Sequence, residues 1–102
     1  MQIDFSRSGG FAGTRLTVRV NSADLSADEA SKLEKLVKDA DFFNLHPEIK
    51  PVTPGPDRFE YRISVSTGSR THTTIISEAV MPDRIRPLID YLASLSKPGR
   101  TR

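Results

Sequence analysis

The sequence predicts an α+β fold in a single domain, with a four-stranded, mostly antiparallel sheet packed against two helices. Two pairs of segments show period-2 alternation of apolar and polar residues, and a glycine-containing turn separates the members of each pair, as in β-hairpins. Apolar residues at helical spacing follow each pair. The predicted element order is therefore ββαββα. A chain of 102 residues has room for one hydrophobic core, so we expect one domain.

The first hairpin is predicted over residues 2–7 and 14–21, around the run Arg7-Ser8-Gly9-Gly10-Phe11-Ala12-Gly13. Apolar residues alternate on both sides of this run: Ile3, Phe5, Leu16, Val18 and Val20. Because glycine accepts positive φ and has no side chain, the three glycines predict a tight turn. Phe11 is then expected at the hairpin tip, where it adds little to its own core and is a candidate contact for another molecule.

The first helix is predicted to begin at Ser26 and to end near Phe43. Ser26 and Glu29 have the spacing of a capping box. Apolar residues then recur at helical spacing: Ala30, Leu33, Leu36, Val37 and Ala40. Residues 44–57 contain four prolines and a glycine, so we expect no regular structure there. A loop of this length in so small a domain is either functional or disordered.

The second hairpin is predicted from alternation over residues 59–65, a turn at 67–70 and a return strand at 71–77. In the return strand, Thr74 and Ile76 are expected to face the core.

The last helix is predicted to follow Pro82. Its apolar stripe is Ile85, Leu88, Ile89, Leu92 and Leu95. Pro87 would remove a hydrogen bond inside such a helix, so either residues 82–86 form a separate turn or the helix is kinked at its start. The domain is predicted to span residues 1–97, with residues 98–102 as a flexible tail.

Element lengths predict which loops share one end of the sheet. A helix of about 16 residues and a strand of about seven each span about 23–24 Å. The first helix should therefore return the chain to the end that carries the glycine turn. The loop 44–57 would then lie beside residues 7–14, with residues 77–81 nearby and the turn at Gly68 at the opposite end. This shared end is the expected working surface.

Composition argues against several classes of partner. The net charge of +2 supplies little field for phosphate, acidic residues interrupt the arginines on the strands, and no aromatic pair is placed to stack bases. No apolar run approaches the roughly 20 residues of a membrane span, and no secretory leader is evident. The chain has no cysteine, which excludes disulfides and thiol chemistry. We therefore expect a cytoplasmic protein without nucleic-acid or membrane partners.

Residue types that carry catalysis are sparse. His46 and His72 are the only histidines, and neither belongs to a metal-binding motif. The glycine run lacks the lysine and the following helix of a phosphate-binding loop. We expect no enzymatic activity, no cofactor and no metal site of the protein's own. The class of function that remains is protein recognition. Phe11 beside the proline-rich loop 44–57 is suited to insertion into a cleft of another protein.

Several segments resemble the emfourin family. They are Arg7 to Gly13, Ala40-Asp41-Phe42-Phe43, Pro56-Asp57-Arg58-Phe59-Glu60-Tyr61, and the strand from His72 to Ile76 with Ser77-Glu78 and Pro82 after it. The resemblance covers nearly the whole chain. It implies an αβ fold and a small bacterial inhibitor of thermolysin-like zinc metallopeptidases of the protealysin type. In such proteins one loop is proposed to present an aspartate to the catalytic zinc, while its neighbour places apolar side chains in substrate subsites.

The resemblance also suggests roles for residues of this chain. Asp57 is the favoured carboxylate for the target's zinc, with Glu48 and Asp41 as alternatives, because an oxygen ligand can take the open position of a catalytic zinc. Phe11 is the favoured subsite anchor. The residues expected at the peptidase contact are Arg7, Gly9, Gly10, Phe11, Ala12 and Asp57, and Arg7 could pair with a carboxylate of the target or of this chain. The expected function is reversible cleft-blocking inhibition by a protein that is monomeric when free. The alternative is a non-inhibitory protein–protein interaction module that uses the same loops.

Overall fold

A computed structural model describes residues 1–9, 14–50 and 59–95 of the chain. These residues form a compact α+β domain, as predicted. Its strands and helices are β1 (Gln2–Gly9), β2 (Thr14–Asn21), α1 (Ala27–Asp39), β3 (Glu48–Ile49), β4 (Phe59–Thr67), β5 (Arg70–Ser77) and α2 (Arg86–Ser94). Four short 3-10 helices cover Ser22–Asp24, Phe42–Asn44, Glu78–Val80 and Asp83–Ile85. The predicted domain boundary at residue 97 and the tail 98–102 lie outside the described residues.

The sheet has five strands in the order β2-β1-β4-β5-β3, so the prediction of four strands was wrong in number. Both hairpins form and pair antiparallel, whereas β3 is parallel to β5 and makes the sheet mixed. β3 lies in the segment where no regular structure was expected. Pro47 lacks an N–H but keeps its carbonyl, which accepts a hydrogen bond of 2.8 Å from the Ile75 N–H. An edge position of this kind tolerates neighbouring prolines.

α1 begins as predicted, with the Ser26 hydroxyl accepting a hydrogen bond from the Glu29 N–H. It ends at Asp39, earlier than predicted, and Asp41 then adopts a left-handed conformation with φ of 53°. Such a residue terminates an α-helix, so Phe42 and Phe43 belong to a separate 3-10 turn.

The direction of α1 also differs from the prediction. The Phe42 and His72 rings lie 5.5 Å apart, and the Arg70 guanidinium lies 4.1 Å from the Phe43 ring centroid. Arg70 and His72 belong to the part of β5 next to the Gly68 turn, so α1 crosses the strands instead of returning the chain to the opposite end. The chain makes that return alongside β5, where the Leu45 carbonyl accepts a hydrogen bond from His72 and the His46 carbonyl accepts one from Thr74.

The core lies between the helices and one face of the sheet. Its largest fully buried side chains are Phe5, Phe42, Ile3, Leu33, Ile63, Ile76, Ile85, Leu88, Leu92, Val65 and Thr74. Thr74 and Ile76 thus face inward, as predicted. Residues 83–85 form a separate turn and Pro87 sits in the first turn of α2, where no N–H is needed, which confirms the first of the two alternatives for this region. Leu95 was wrongly assigned to the apolar stripe, because it follows the end of α2 and is 37% exposed.

A hydrogen bond of 2.6 Å from the Tyr91 hydroxyl to the Glu29 carboxylate joins α2 to α1. This bond is the main cause that raises the pKa of Tyr91 to about 12. Because folding raises the pKa of this tyrosine, its contribution to the free energy of unfolding is complete at pH values below the pKa of the unfolded state, about 10. That contribution is lost as the pH rises through about 12.

We expect Tyr91→Phe to lower the free energy of unfolding by about 1 kcal/mol at pH 8. The difference from the wild type should shrink between pH 10 and 12, because the wild type alone loses the bond there. Urea unfolding of both proteins at pH 8 and 11 measures it. Tyr61 is common to both proteins, so its titration cancels. A difference that stays constant between these pH values would contradict the assignment.

Candidate functional site

Two segments are predicted to form the contact surface: residues 7–14 and residues 44–57. The strands that flank them end at the same end of the sheet. Gly9 at the end of β1 pairs with Thr14 of β2 and also with Phe59 of β4. β3 runs parallel to β5 and leads to Lys50, while β5 ends at Ser77. We call this part of the molecule the loop end, defined by Gly9, Thr14, Lys50, Phe59 and Ser77. The described flanks of both segments lie here, as predicted, and the Gly68 turn lies at the opposite end.

The predicted site residues divide between described and undescribed positions. Those outside the described residues are Gly10, Phe11, Ala12 and Asp57. Gly9 has a φ of 104°, a conformation that favours glycine and turns the chain as it leaves β1. Arg7 lies two residues earlier in β1, on the face of the sheet that packs against the helices.

The alternative zinc-directed carboxylates, Glu48 and Asp41, lie far from each other. Glu48 lies in β3, two residues before Lys50 and the loop end. Asp41 follows α1, accepts a hydrogen bond of 2.7 Å from the Asn44 side chain, and lines a shallow cavity of about 310 Å³ together with Arg70. Because Arg70 lies next to the Gly68 turn, the structure does not bring Asp41 to the loop end.

Arg7, Phe59, Tyr61 and Glu78 form a packed cluster beneath the loop end, which we call the platform. The Arg7 guanidinium carbon lies 4.6 Å from the Phe59 ring centroid, a cation–π geometry. The Glu78 carboxylate accepts a long hydrogen bond of 3.5 Å from the Phe59 N–H. The Tyr61 ring stacks on Phe5 with a centroid distance of 6.0 Å. Side-chain contacts therefore reinforce the strand pairing from which both segments start.

The charges of the platform act on the Tyr61 phenol. Burial raises the pKa of Tyr61, the Glu78 carboxylate raises it further, and the positive charge of the Arg7 guanidinium opposes both. Arg7 therefore interacts with groups of its own chain at this end of the sheet. Its guanidinium packs on Phe59 and so supports the strands from which both segments extend.

A second charged group lies on the other face at the loop end. The Lys50 ammonium lies 3.2 Å from a Glu60 carboxylate oxygen and 3.7 Å from one of Glu48. The hydrogen bond to Glu60 is the main cause that raises the pKa of Lys50 above its usual value, and the Glu48 carboxylate adds to the effect. Glu48 is therefore held beside a cation, which it would have to leave in order to bind a metal ion.

The described residues contain no group of three or more His, Cys, Asp or Glu side chains that could hold a metal ion. His72 donates its Nε2–H to the Leu45 carbonyl over 2.8 Å and packs against Phe42, which is a structural role. His46 is exposed, and its carbonyl accepts the Thr74 hydroxyl. In the described ranges, no helix is long and apolar enough to cross a membrane.

Sequence reasoning missed the platform as a unit. Phe59 and Tyr61 were interpreted as strand residues, and Glu78 only as part of a nearby segment. The signal that could have found them is the pairing of β1 with β4, which brings Arg7 opposite Tyr61 and Gly9 opposite Phe59. These strands are not consecutive along the chain, so no turn marks their pairing.

The protein is thus a small α+β domain in which two neighbouring segments extend from one end of the sheet. Comparison with known families assigns it more closely: the model of the Emfourin family matches residues 5–93. The chain therefore belongs to the emfourin family, and this membership suggests a metallopeptidase inhibitor. Searches of curated proteins and of solved structures found no match.

Proposed function

We propose that this protein inhibits thermolysin-like zinc metallopeptidases by inserting the two segments of the loop end into the active-site cleft. Family membership supports a peptidase as the partner. The observation that carries the proposal is the pairing of Gly9 with Phe59, because it starts the two segments from adjacent positions on neighbouring strands. One cleft can then receive both segments.

Chain length supports a joint contact by Phe11 and Asp57. Phe11 follows Gly9 by two residues, and Asp57 precedes Phe59 by two residues. Two residues span at most about 7 Å, and paired Cα atoms on antiparallel strands lie about 5 Å apart. The Cα atoms of Phe11 and Asp57 are then within about 20 Å of each other, by addition of these limits.

The two side chains have complementary roles in the proposal. A catalytic zinc keeps one coordination position open, and the Asp57 carboxylate supplies an oxygen ligand for it. Phe11 supplies an aromatic anchor for an apolar subsite. Glu48 is the alternative carboxylate that lies near the loop end, whereas Asp41 lies at the opposite end of the sheet, near the Gly68 turn. Arg7, Gly9, Gly10 and Ala12 support or flank the anchor.

The platform lowers the cost of binding in this proposal. Ordering of loops on association reduces affinity, and a loop that starts from a rigid base has less freedom to lose. The Arg7–Phe59 contact and the bond from Phe59 to Glu78 fix the bases of both segments in the free protein. Binding then requires little rearrangement of the sheet.

A titration of peptidase activity tests the proposal. A fixed amount of a thermolysin-like peptidase is preincubated with increasing amounts of this protein, and hydrolysis of a fluorogenic peptide is measured. Activity should fall to zero near an equimolar ratio, with the inhibitor recovered uncleaved. Full activity against several such peptidases, including one encoded beside this protein, would favour the non-inhibitory interaction module instead.

A further inference from the structure

The face of the sheet that points away from the helices carries a cluster of arginines. Arg15 and Arg19 of β2 and Arg62 of β4 are exposed and line one shallow depression of about 590 Å³. Ser6, Thr17 and Ser64 line the same depression. We call these six residues the arginine patch.

The three arginines differ in their ion pairs with other described residues. Arg19 forms an ion pair of 2.8 Å with Asp4, which also lines the depression. Arg15 and Arg62 have no ion pair within the described ranges of the chain. The patch thus has three positive charges against the single negative charge of Asp4, although the whole chain carries a net charge of only +2. Glu60 and Glu48 lie on the same face towards the loop end, where both are held beside Lys50.

The patch is continuous with the loop end. Arg15 pairs with Ser8, one position from the Gly9–Thr14 pair, and Arg62 pairs with Ser6. Arg19 pairs with Asp4, further along the same strands. A molecule seated on the loop end would therefore have its surface beside these arginines.

We propose that the arginine patch binds carboxylates on the peptidase surface beside the active-site cleft, and so extends the contact that the proposed function places at the loop end. Guanidinium groups bind carboxylates through paired hydrogen bonds, and exposed charges at the rim of an interface accelerate association. The inference rests on the proposed inhibitory function, because the patch needs the peptidase to be seated on the loop end.

The chemistry of this face favours a protein partner over a nucleic acid. Proteins that bind single strands stack bases on exposed aromatic side chains. Phe5 also lines the depression but is only 1% exposed, so it cannot stack a base. Phe59 and Tyr61 alternate onto the opposite face, which packs against the helices. The low net charge also gives little long-range attraction for a phosphate backbone.

Association kinetics test the inference. The double variant Arg15→Gln/Arg62→Gln is compared with the wild type and with Lys38→Gln/Arg84→Gln, which loses the same two charges from exposed positions outside the sheet. Rates are taken from progress curves of peptide hydrolysis at about 20 and about 300 mM salt, where charges are weakly and strongly screened. The patch variant should associate about fivefold more slowly than the wild type at low salt, and this difference should shrink at high salt. The control variant should stay within about twofold of the wild type.

Each other outcome overturns the inference in a distinguishable way. Equal association rates for the patch variant and the control variant, with inhibition intact, would overturn the patch contact and leave the proposed function standing. Absence of inhibition by the wild type would overturn both. A salt-dependent gel shift of a labelled oligonucleotide that disappears in the patch variant would assign the patch to nucleic acid.

Discussion

Phe11→Ala is expected to raise the inhibition constant by about 30- to 1,000-fold, which corresponds to about 2–4 kcal/mol. Interfaces depend on a few buried anchors, and an aromatic side chain in an apolar subsite is the type of anchor whose truncation costs most. The melting temperature should change little, because the described core is complete around other side chains, including Phe5 and Phe42. Inhibition assays and thermal unfolding of the same preparations measure the two effects.

Leu95→Ala is the matched control for loss of apolar surface. Leu95 is 37% exposed at the end of α2 and belongs to neither segment of the loop end. Its truncation should leave the inhibition constant unchanged. If Phe11→Ala instead unfolds the domain while potency per folded molecule is retained, Phe11 is a structural residue and the anchor assignment is wrong.

Asp57→Asn is expected to weaken inhibition by about 30-fold or more, because it removes the charge that binds the zinc and keeps the size of the side chain. Two matched variants, Glu48→Gln and Asp41→Asn, test the choice of carboxylate. Glu48 is held beside Lys50, and Asp41 lies next to Arg70 at the opposite end of the sheet. Both variants should inhibit within about threefold of the wild type, since the exposed Glu48–Lys50 ion pair contributes little and Asp41 lies far from the loop end.

Inhibition constants of the three variants, each with its melting temperature, decide among the carboxylates. A larger loss for Glu48→Gln than for Asp57→Asn would transfer the zinc-directed role to Glu48. A large loss for Asp41→Asn without loss of stability would contradict the position of the contact surface, because Asp41 lies far from the loop end.

Features that depend on neighbouring residues could be predicted from the sequence. Alternation predicted both hairpins, and the spacing of Ser26 and Glu29 predicted the helix start. Pro82 and Pro87 predicted either a separate turn or a kink at the start of the last helix, and the structure has the separate turn. These patterns reflect local backbone preferences and a single buried face. They need no knowledge of which strands are neighbours.

Features that depend on distant pairing could not be predicted. β3 is two residues long, too short for a periodic pattern, and exists because Pro47, Glu48 and Ile49 meet β5. Helix length alone predicted that α1 would return the chain to the loop end, but α1 crosses the strands and the segment after it makes the return beside β5. The prediction that the two segments share one end of the sheet is therefore correct for their described flanking residues. The route of the chain from which we derived it was wrong.

The candidate site shows the same division. The glycine run and the proline-rich segment marked both sides of the loop end, because these residue types interrupt regular structure. The platform required the pairing of β1 with β4, which is a property of the whole sheet. Arg7 illustrates the difference: the contact of its guanidinium with the Phe59 ring depends on the pairing of β1 with β4, which no local sequence pattern marks.

Competition for the catalytic zinc tests most directly that this protein occupies the cleft. The chain has no cysteine, so Ser31→Cys on the exposed face of α1 allows a single fluorescent label. Binding of the labelled protein to the peptidase is followed by anisotropy, with and without a saturating small hydroxamate bound to the zinc. The account predicts that the hydroxamate prevents binding. Unchanged binding in the presence of the hydroxamate would contradict occupation of the cleft.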